Sequence, residues 1–186
     1  MGAYLNDDLD ATMVSHLRRI RCVPRWVIVP TINKQNVAEH SFHVAWLMAW
    51  LCNRFKVPVT SKRLIMALCH DASEAITGDV PTPAKTRKPV PKSNDLSYNI
   101  DKLLLKTADS LEALLFIKEE MDMGNSALLD IYVDIVERGS VWSDALRMNI
   151  FESDRRRKVS SMPGFEQLFD ELYAVCKLAR HPALEK

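Results

Sequence analysis

Apolar residues recur every three or four positions through most of this chain, in blocks cut apart by proline and glycine. That period belongs to amphipathic helices; half-buried strands alternate every second residue. Leu9, Met13, Leu17 and Ile20 predict a helix over 7–20, interrupted at Pro24. Residues 25–38, RWVIVPTINKQNVA, are rich in β-branched side chains and read as loop or short extended structure. Val44, Leu47, Met48 and Leu51 face inward on a helix from about 37 to 55, which Pro58 follows. Thr60 or Ser61 caps the next helix, roughly 61–76, and Gly78 stops it. Residues 79–93, DVPTPAKTRKPVPKS, hold four prolines and four basic residues, so they predict a cationic loop or lid. A long helix is expected from about 95 to 122, closed by Gly124-Asn125. Helices at 126–138 and 140–152 follow, divided at Gly139, and a last one comes after Pro163-Gly164. With only five glycines there are few tight turns. The expected fold is all-α, with about seven helices.

A chain of 186 residues is one domain by size, 1–186, and can bury a sizeable core. Its 25 basic and 24 acidic residues nearly cancel, so any anion site must come from local clustering. The four cysteines, Cys22, Cys52, Cys69 and Cys176, contain no CxxC pair. Buried free thiols in a reducing compartment are expected, not a thiolate zinc site. The acidic opening, MGAYLNDDLDATMV, lacks a basic stretch followed by an apolar one, and no apolar run is long enough to span a bilayer. A cytoplasmic protein with no membrane partner is the expectation.

Against this background His70-Asp71 stands out. Two metal-binding side-chain types are adjacent, with Glu74 close behind in HDASEAITGD. Neighbours on a helix point about 100° apart, so both can serve one centre only if it lies against the helix edge between them. Glu74 falls on the same side. An imidazole and two carboxylates facing one point suit metal-assisted hydrolysis. Of the remaining histidines, His16 and His181 read as surface residues. His40 and His43 lie early in an apolar helix; His40, nearer the irregular segment where a cleft can open, is the better ligand, and His43 reads as support or packing. Asp109, between the small residues Ala108 and Ser110, is a candidate carboxylate. Taken alone, Lys106 and Asp109 read equally as a solvated i,i+3 ion pair.

His40, His70-Asp71 and Asp109 follow the H…HD…D order of the HD-domain metal-dependent phosphohydrolases, and the chain resembles that superfamily. Arg25-Trp26, NVAEHS at 36–41, HDASEAITGDVPTPAK at 70–85 and KTAD at 106–109 resemble its 5'-deoxynucleotidase branch, including the phage dATP triphosphohydrolases. The likeness spans about residues 20–125, the motif-bearing core of a single HD domain; 126–186 are its C-terminal helices. It implies that His40, His70, Asp71 and Asp109 hold one divalent metal ion. Two nitrogen and two oxygen donors suit zinc, cobalt or manganese. It further implies that Glu74 handles the proton of the attacking water or leaving group, and that Asp79 supports the site or touches the ribose. Arg25 would take phosphate through its planar fork, with Lys85 and Lys106 as point charges and Arg87 and Lys88 as weaker candidates. Trp26 would contact base and sugar and exclude a ribose 2'-hydroxyl.

The resemblance leaves two deoxynucleotide substrates open. A dATP triphosphohydrolase, releasing triphosphate, is favoured by Ile28 two residues after Trp26, by Pro83 as a further pocket wall, and by the short stretch from Lys85 to Asp109. The alternative is a 5'-deoxynucleotidase releasing phosphate from monophosphates. A non-catalytic nucleotide-binding module would have lost a ligand or Glu74, and both are present. A nucleic-acid phosphodiesterase could use the basic run Arg155–Lys158, although a solvated cationic end is the commoner meaning of such a run. The apolar faces of the first and last helices lead to an expected homo-oligomer.

Overall fold

The computed structural model describes residues 18–79 and 99–179. Most of the helix expected over 7–20 lies outside them, as do Pro83, Lys85, Arg87 and Lys88 of the cationic loop; residues 18–20 are helical. Six α-helices follow: α1 (Val37–Arg54), α2 (Ser61–Leu68), α3 (Glu74–Thr77), α4 (Ile100–Asp122), α5 (Leu129–Ser153) and α6 (Phe165–Ala179). Single 3-10 turns, Ser126–Leu128 and Val159–Ser161, precede α5 and α6. The described residues contain no strand, only an isolated bridge between Pro24 and Asn36. The all-α expectation holds. No helix among the described residues is long and apolar enough to cross a membrane.

Helix α4 is the centre of the fold and packs against α1, α2, α5 and α6. Leu103, Leu104, Leu111 and Ile117 on α4 are fully buried, against Met48 and Leu51 of α1 and Leu146 of α5. Burial of each such side chain contributes about 1.5–3 kcal/mol relative to exposure. Helix α1 begins in a capping box. The Asn36 side chain accepts from the Glu39 N–H at 3.0 Å, and Glu39 accepts from the Asn36 N–H at 3.1 Å. Part of the NVAEHS motif therefore sets the helix start at Val37, three residues before His40. Thr60 caps α2, accepting from the Arg63 N–H at 3.3 Å.

Three expectations are corrected. The helix predicted over 61–76 is broken: α2 ends at Leu68, and residues 69–73 form turns before α3. Gly139 does not divide two helices but lies inside α5. A Cβ at this position would overlap the buried ring of Phe165, so the glycine admits a neighbouring aromatic ring. Gly139→Ala is expected to destabilise the protein by about 1–3 kcal/mol through overpacking, despite alanine's better helix propensity. Urea unfolding reads this directly. Third, all four cysteines are free, but only Cys52 is buried, and Cys22 is exposed.

In the basic run Arg155–Lys158, Arg155 and Arg156 are exposed and pair locally, and Arg157 is tied into the fold. Arg155 pairs with Glu152 and Arg156 with Asp154, each at 2.9 Å. Arg157 donates to the carbonyls of Phe55 and Lys56 at 2.7 and 3.1 Å, tying off the end of α1.

Candidate functional site

The break after α2 is what brings His70 and Asp71 to one point. Backbone N–H groups of Ala72 and Glu74 reach the carbonyls of Cys69 and Asp71, at 3.1 and 2.9 Å, so the chain turns in i→i+3 steps. Both side chains then face α1 and α4. His70 Nε2 lies 3.1 Å from Asp71 Oδ2 and 4.0 Å from Asp109 Oδ1. His40 Nε2, from α1, lies 3.2 Å from Asp109 Oδ1 and 3.7 Å from Asp71 Oδ2. Ligand atoms of His40, His70 and Asp109 are all within 4.8 Å of one another, and Asp71 borders the same centre.

The tautomers are set from behind. His70 Nδ1 donates to the Ala67 carbonyl at 2.7 Å, and His40 Nδ1 contacts the Glu112 carboxylate. Each Nε2 is thereby aimed at the shared centre, and both are buried atoms without a hydrogen-bond partner of good geometry. Two buried, orphaned imidazole nitrogens facing two carboxylates are costly in an ordinary core. They fit a divalent cation with mixed nitrogen and oxygen ligands.

Burial pushes the His40 pKa down, but the Glu112 carboxylate behind it and the Asp109 carboxylate before it outweigh burial and raise it to about 9, a proton that a bound cation would displace. Burial would raise the Glu112 pKa, and the facing His40 and His43 bring it down to about 2. Asp109 is held well below the usual carboxylate range despite the cost of partial burial, by Lys106 and the two imidazoles. Asp71 is likewise lowered, mainly by the His70 imidazole 3.1 Å away, against the cost of burial. Lys106 Nζ sits 2.9 Å from Asp109 Oδ2, so the i,i+3 pair exists, but one member points into the cluster.

Glu74 opens α3 and is only 6% exposed, so it is a buried carboxylate and not a surface one. Asp79 is half-buried beyond it. Arg25 and Trp26 stand on the segment 24–36, whose ends are joined by Arg25 N–H to the Gln35 carbonyl at 2.9 Å and Val37 N–H to the Val23 carbonyl at 3.0 Å. Trp26 has φ +62°, an uncommon and strained conformation for a bulky residue. Its ring stacks on Phe116 of α4, centroids 5.2 Å apart, with the Arg25 guanidinium 5.6 Å from the ring centre. Arg25 also acts electrostatically on both His40 and Glu112. Ile28 is 61% exposed at the segment's tip.

Sequence reasoning missed Gln35 and Glu112. Gln35 Nε2 donates to Glu112 Oε1 at 2.6 Å, and Trp26 Nε1 donates to Gln35 Oε1 at 3.0 Å. Farther along, the buried Glu120 accepts from the N–H groups of Ile32 and Asn33 at 2.6 and 2.7 Å. The signal was the spacing Glu112, Phe116, Glu120, which puts all three on one face of α4, beside Asp109. His43 sits 3.3 Å from Glu112 Oε1, in the supporting place expected of it. A cavity of about 440 Å³ opens beside this group, lined by Gln35, His43, Glu112 and Phe116 among others.

Comparison with known proteins decides the relationship. The profile of the "5'-deoxynucleotidase YfbR-like" family matches residues 12–98. A 5'-deoxynucleotidase of Yersinia pestis (strain Pestoides F) is 32% identical over an alignment of 150 residues, covering 62% of this chain and 76% of the relative. The 5'-deoxynucleotidase of Yersinia pseudotuberculosis serotype O:1b (strain IP 31758) matches equally. The chain belongs to the YfbR-like 5'-deoxynucleotidase family. Among solved structures, the cyanophage S-2L HD phosphohydrolase DatZ, bound to dA and one catalytic Zn2+ ion, is 22% identical with a TM-score of 0.55, over 77% of this chain and 96% of DatZ. A conserved hypothetical protein from Pyrococcus furiosus is 23% identical with a TM-score of 0.56, over 80% of this chain and all of its own. These structures share the fold of this YfbR-like protein. The family profile ends before α4, so Asp109, Glu112 and Phe116 are contributed by a part of the chain that the profile does not cover.

Proposed function

We propose that this protein is a divalent-metal-dependent 5'-deoxynucleotidase, converting a deoxynucleoside monophosphate and water to the deoxynucleoside and orthophosphate. The observation that carries the reading is the pair of buried Nε2 atoms of His40 and His70, aimed with Asp71 and Asp109 at one centre. The names and 32% identity of the Yersinia relatives support the monophosphate as substrate over dATP, which the sequence alone favoured.

His40, His70, Asp71 and Asp109 would hold one cation: zinc, cobalt or manganese. When bound, such an ion supplies Lewis acidity to a phosphoryl oxygen and lowers the pKa of water. Glu74, buried one turn past Asp71, would orient the attacking water and take up its proton. Arg25 would hold the phosphate, with Lys106 adding positive charge beside Asp109, and with Lys85 from the loop outside the described residues. Trp26, fixed between Phe116 and Arg25, would bar a 2'-hydroxyl by bulk. Asp79 would accept from a sugar hydroxyl. Ile28, and Pro83 outside the described residues, would border the base.

The dATP triphosphohydrolase reading keeps one observation in its favour, the RWVI run that puts apolar Ile28 beyond Trp26. Incubating metal-loaded protein with dAMP, dATP, dGTP and ATP and identifying the phosphorus product separates the two. Orthophosphate from deoxynucleoside monophosphates is expected. Free triphosphate from dATP alone would transfer the reading to the triphosphohydrolase. Hydrolysis of AMP, added to the same panel, as fast as dAMP would sink the role of Trp26 in sugar selection.

A further inference from the structure

We propose that Gln35 and Glu112 are positioning residues that join Trp26 to His40 in one hydrogen-bonded relay, so that the seat of the nucleotide and the metal-facing imidazole are held in register. The inference rests on the reading of His40 as a metal ligand and of Trp26 as a nucleotide contact.

The chemistry of each member leaves little freedom. An indole N–H only donates, and an ionised carboxylate only accepts. A side chain that links them must accept at one end and donate at the other, which an amide does. Gln35 Oε1 takes the Trp26 N–H at 3.0 Å, and Gln35 Nε2 gives to Glu112 Oε1 at 2.6 Å. The other oxygen of Glu112 receives Nδ1–H of His40. Donation therefore converges on the Glu112 carboxylate from both sides, from Trp26 through Gln35 on one oxygen and from His40 on the other. It is also buried over most of its length: His40, Glu112 and Gln35 are 0%, 3% and 8% exposed. Buried polar groups of this kind are satisfied by one another or not at all, so loss of one link disturbs the next. The backbone reinforces the first link, since the Gln35 carbonyl also holds the Arg25 N–H. A carboxylate behind a metal-facing imidazole fixes its ring orientation and raises its basicity. Here that carboxylate is itself oriented by the residue that orients Trp26.

The test titrates Co2+ into the protein without nucleotide, following the d–d absorption, and measures KM and kcat for dAMP and AMP separately. Gln35→Leu removes both links at nearly constant volume and is expected to weaken Co2+ binding about tenfold, the lower end for groups that support metal ligands. It should also raise KM for dAMP and lower the preference for dAMP over AMP. Trp26→Phe keeps a ring against Phe116 and deletes only the indole N–H. A smaller loss of Co2+ affinity, with a shifted absorption band, is expected from this change at the nucleotide seat. Because that variant is conservative, it decides the matter if Gln35→Leu fails to fold. Glu112→Gln should resemble Gln35→Leu, and the double variant should lose no more affinity than the worse single one, as members of one chain do. Wild-type binding and spectrum in Trp26→Phe, or additive losses in the double variant, would overturn the relay and leave the proposed function standing. Failure of the wild-type protein to bind Co2+ would overturn both.

Discussion

Asp71→Ala is expected to abolish stoichiometric metal binding and to lower kcat for the deoxynucleotide by about a thousandfold or more. The reasoning starts from position. Asp71 Oδ2 approaches the Nε2 atoms of both His70 and His40, at 3.1 and 3.7 Å, so its removal strips negative charge from a centre where two imidazoles already face each other. The Asp71 carboxyl is held below its ordinary pKa, chiefly by the neighbouring His70 imidazole against the opposing cost of burial, so it is present as the anion a cation needs. Lewis-acid stabilisation is worth several kcal/mol, and about 1.4 kcal/mol corresponds to a factor of ten in rate. Metal content by atomic absorption and single-turnover kinetics measure the two effects. The fold should survive, because Asp71 lies in the turn between α2 and α3 and is not part of the leucine core. A variant that retains one equivalent of metal and normal turnover would remove Asp71 from the site.

Glu74→Gln is expected to separate binding from chemistry. The amide nearly matches the carboxylate in shape but cannot accept a proton, so metal content should stay near wild type while kcat falls by about 10²- to 10⁴-fold, the usual contribution of a positioned acid or base. Burial matters here: Glu74 is 6% exposed, and a surface carboxylate would show no such loss. Full activity of Glu74→Gln would mean that another group moves the proton.

The helices were readable because their apolar spacing is regular and their ends carry ordinary signals. Leu103, Leu111, Leu114 and Ile117 mark α4 whatever their partners. The break at 69–73 was not readable. Cys69-His70-Asp71-Ala72-Ser73 contains neither proline nor glycine, and only the convergence with His40 and Asp109 gives the chain a reason to leave the helix there. Gly139 was misread for the opposite reason: a glycine in a helical pattern marks either an end or a close approach, and Phe165, which decides between them, is far along the chain. The four candidate ligands came from a resemblance more than from spacing. Glu112 escaped because a lone acid in LEALLF looks like a solvated helix face, while its buried partners, His40 and Gln35, come from distant parts of the sequence. Nor does anything in RWVI announce the positive φ of Trp26.

Helix α4 carries Asp109, Glu112, Phe116 and Glu120, and through them it meets the metal-facing cluster, the relay, the Trp26 stack and the far side of the 24–36 segment. One rod thus sets the spacing from the histidine–carboxylate cluster to the far side of the 24–36 segment: eleven residues from Asp109 to Glu120 at a rise of 1.5 Å, or about 16 Å. A single residue added within that span would rotate everything beyond it by about 100° and disengage half the site. The tip of the segment, where Val27 and Ile28 are 54% and 61% exposed, is under no such constraint. A chain built this way can exchange residues at that tip freely, while the length of one helix keeps the cluster and the segment in register.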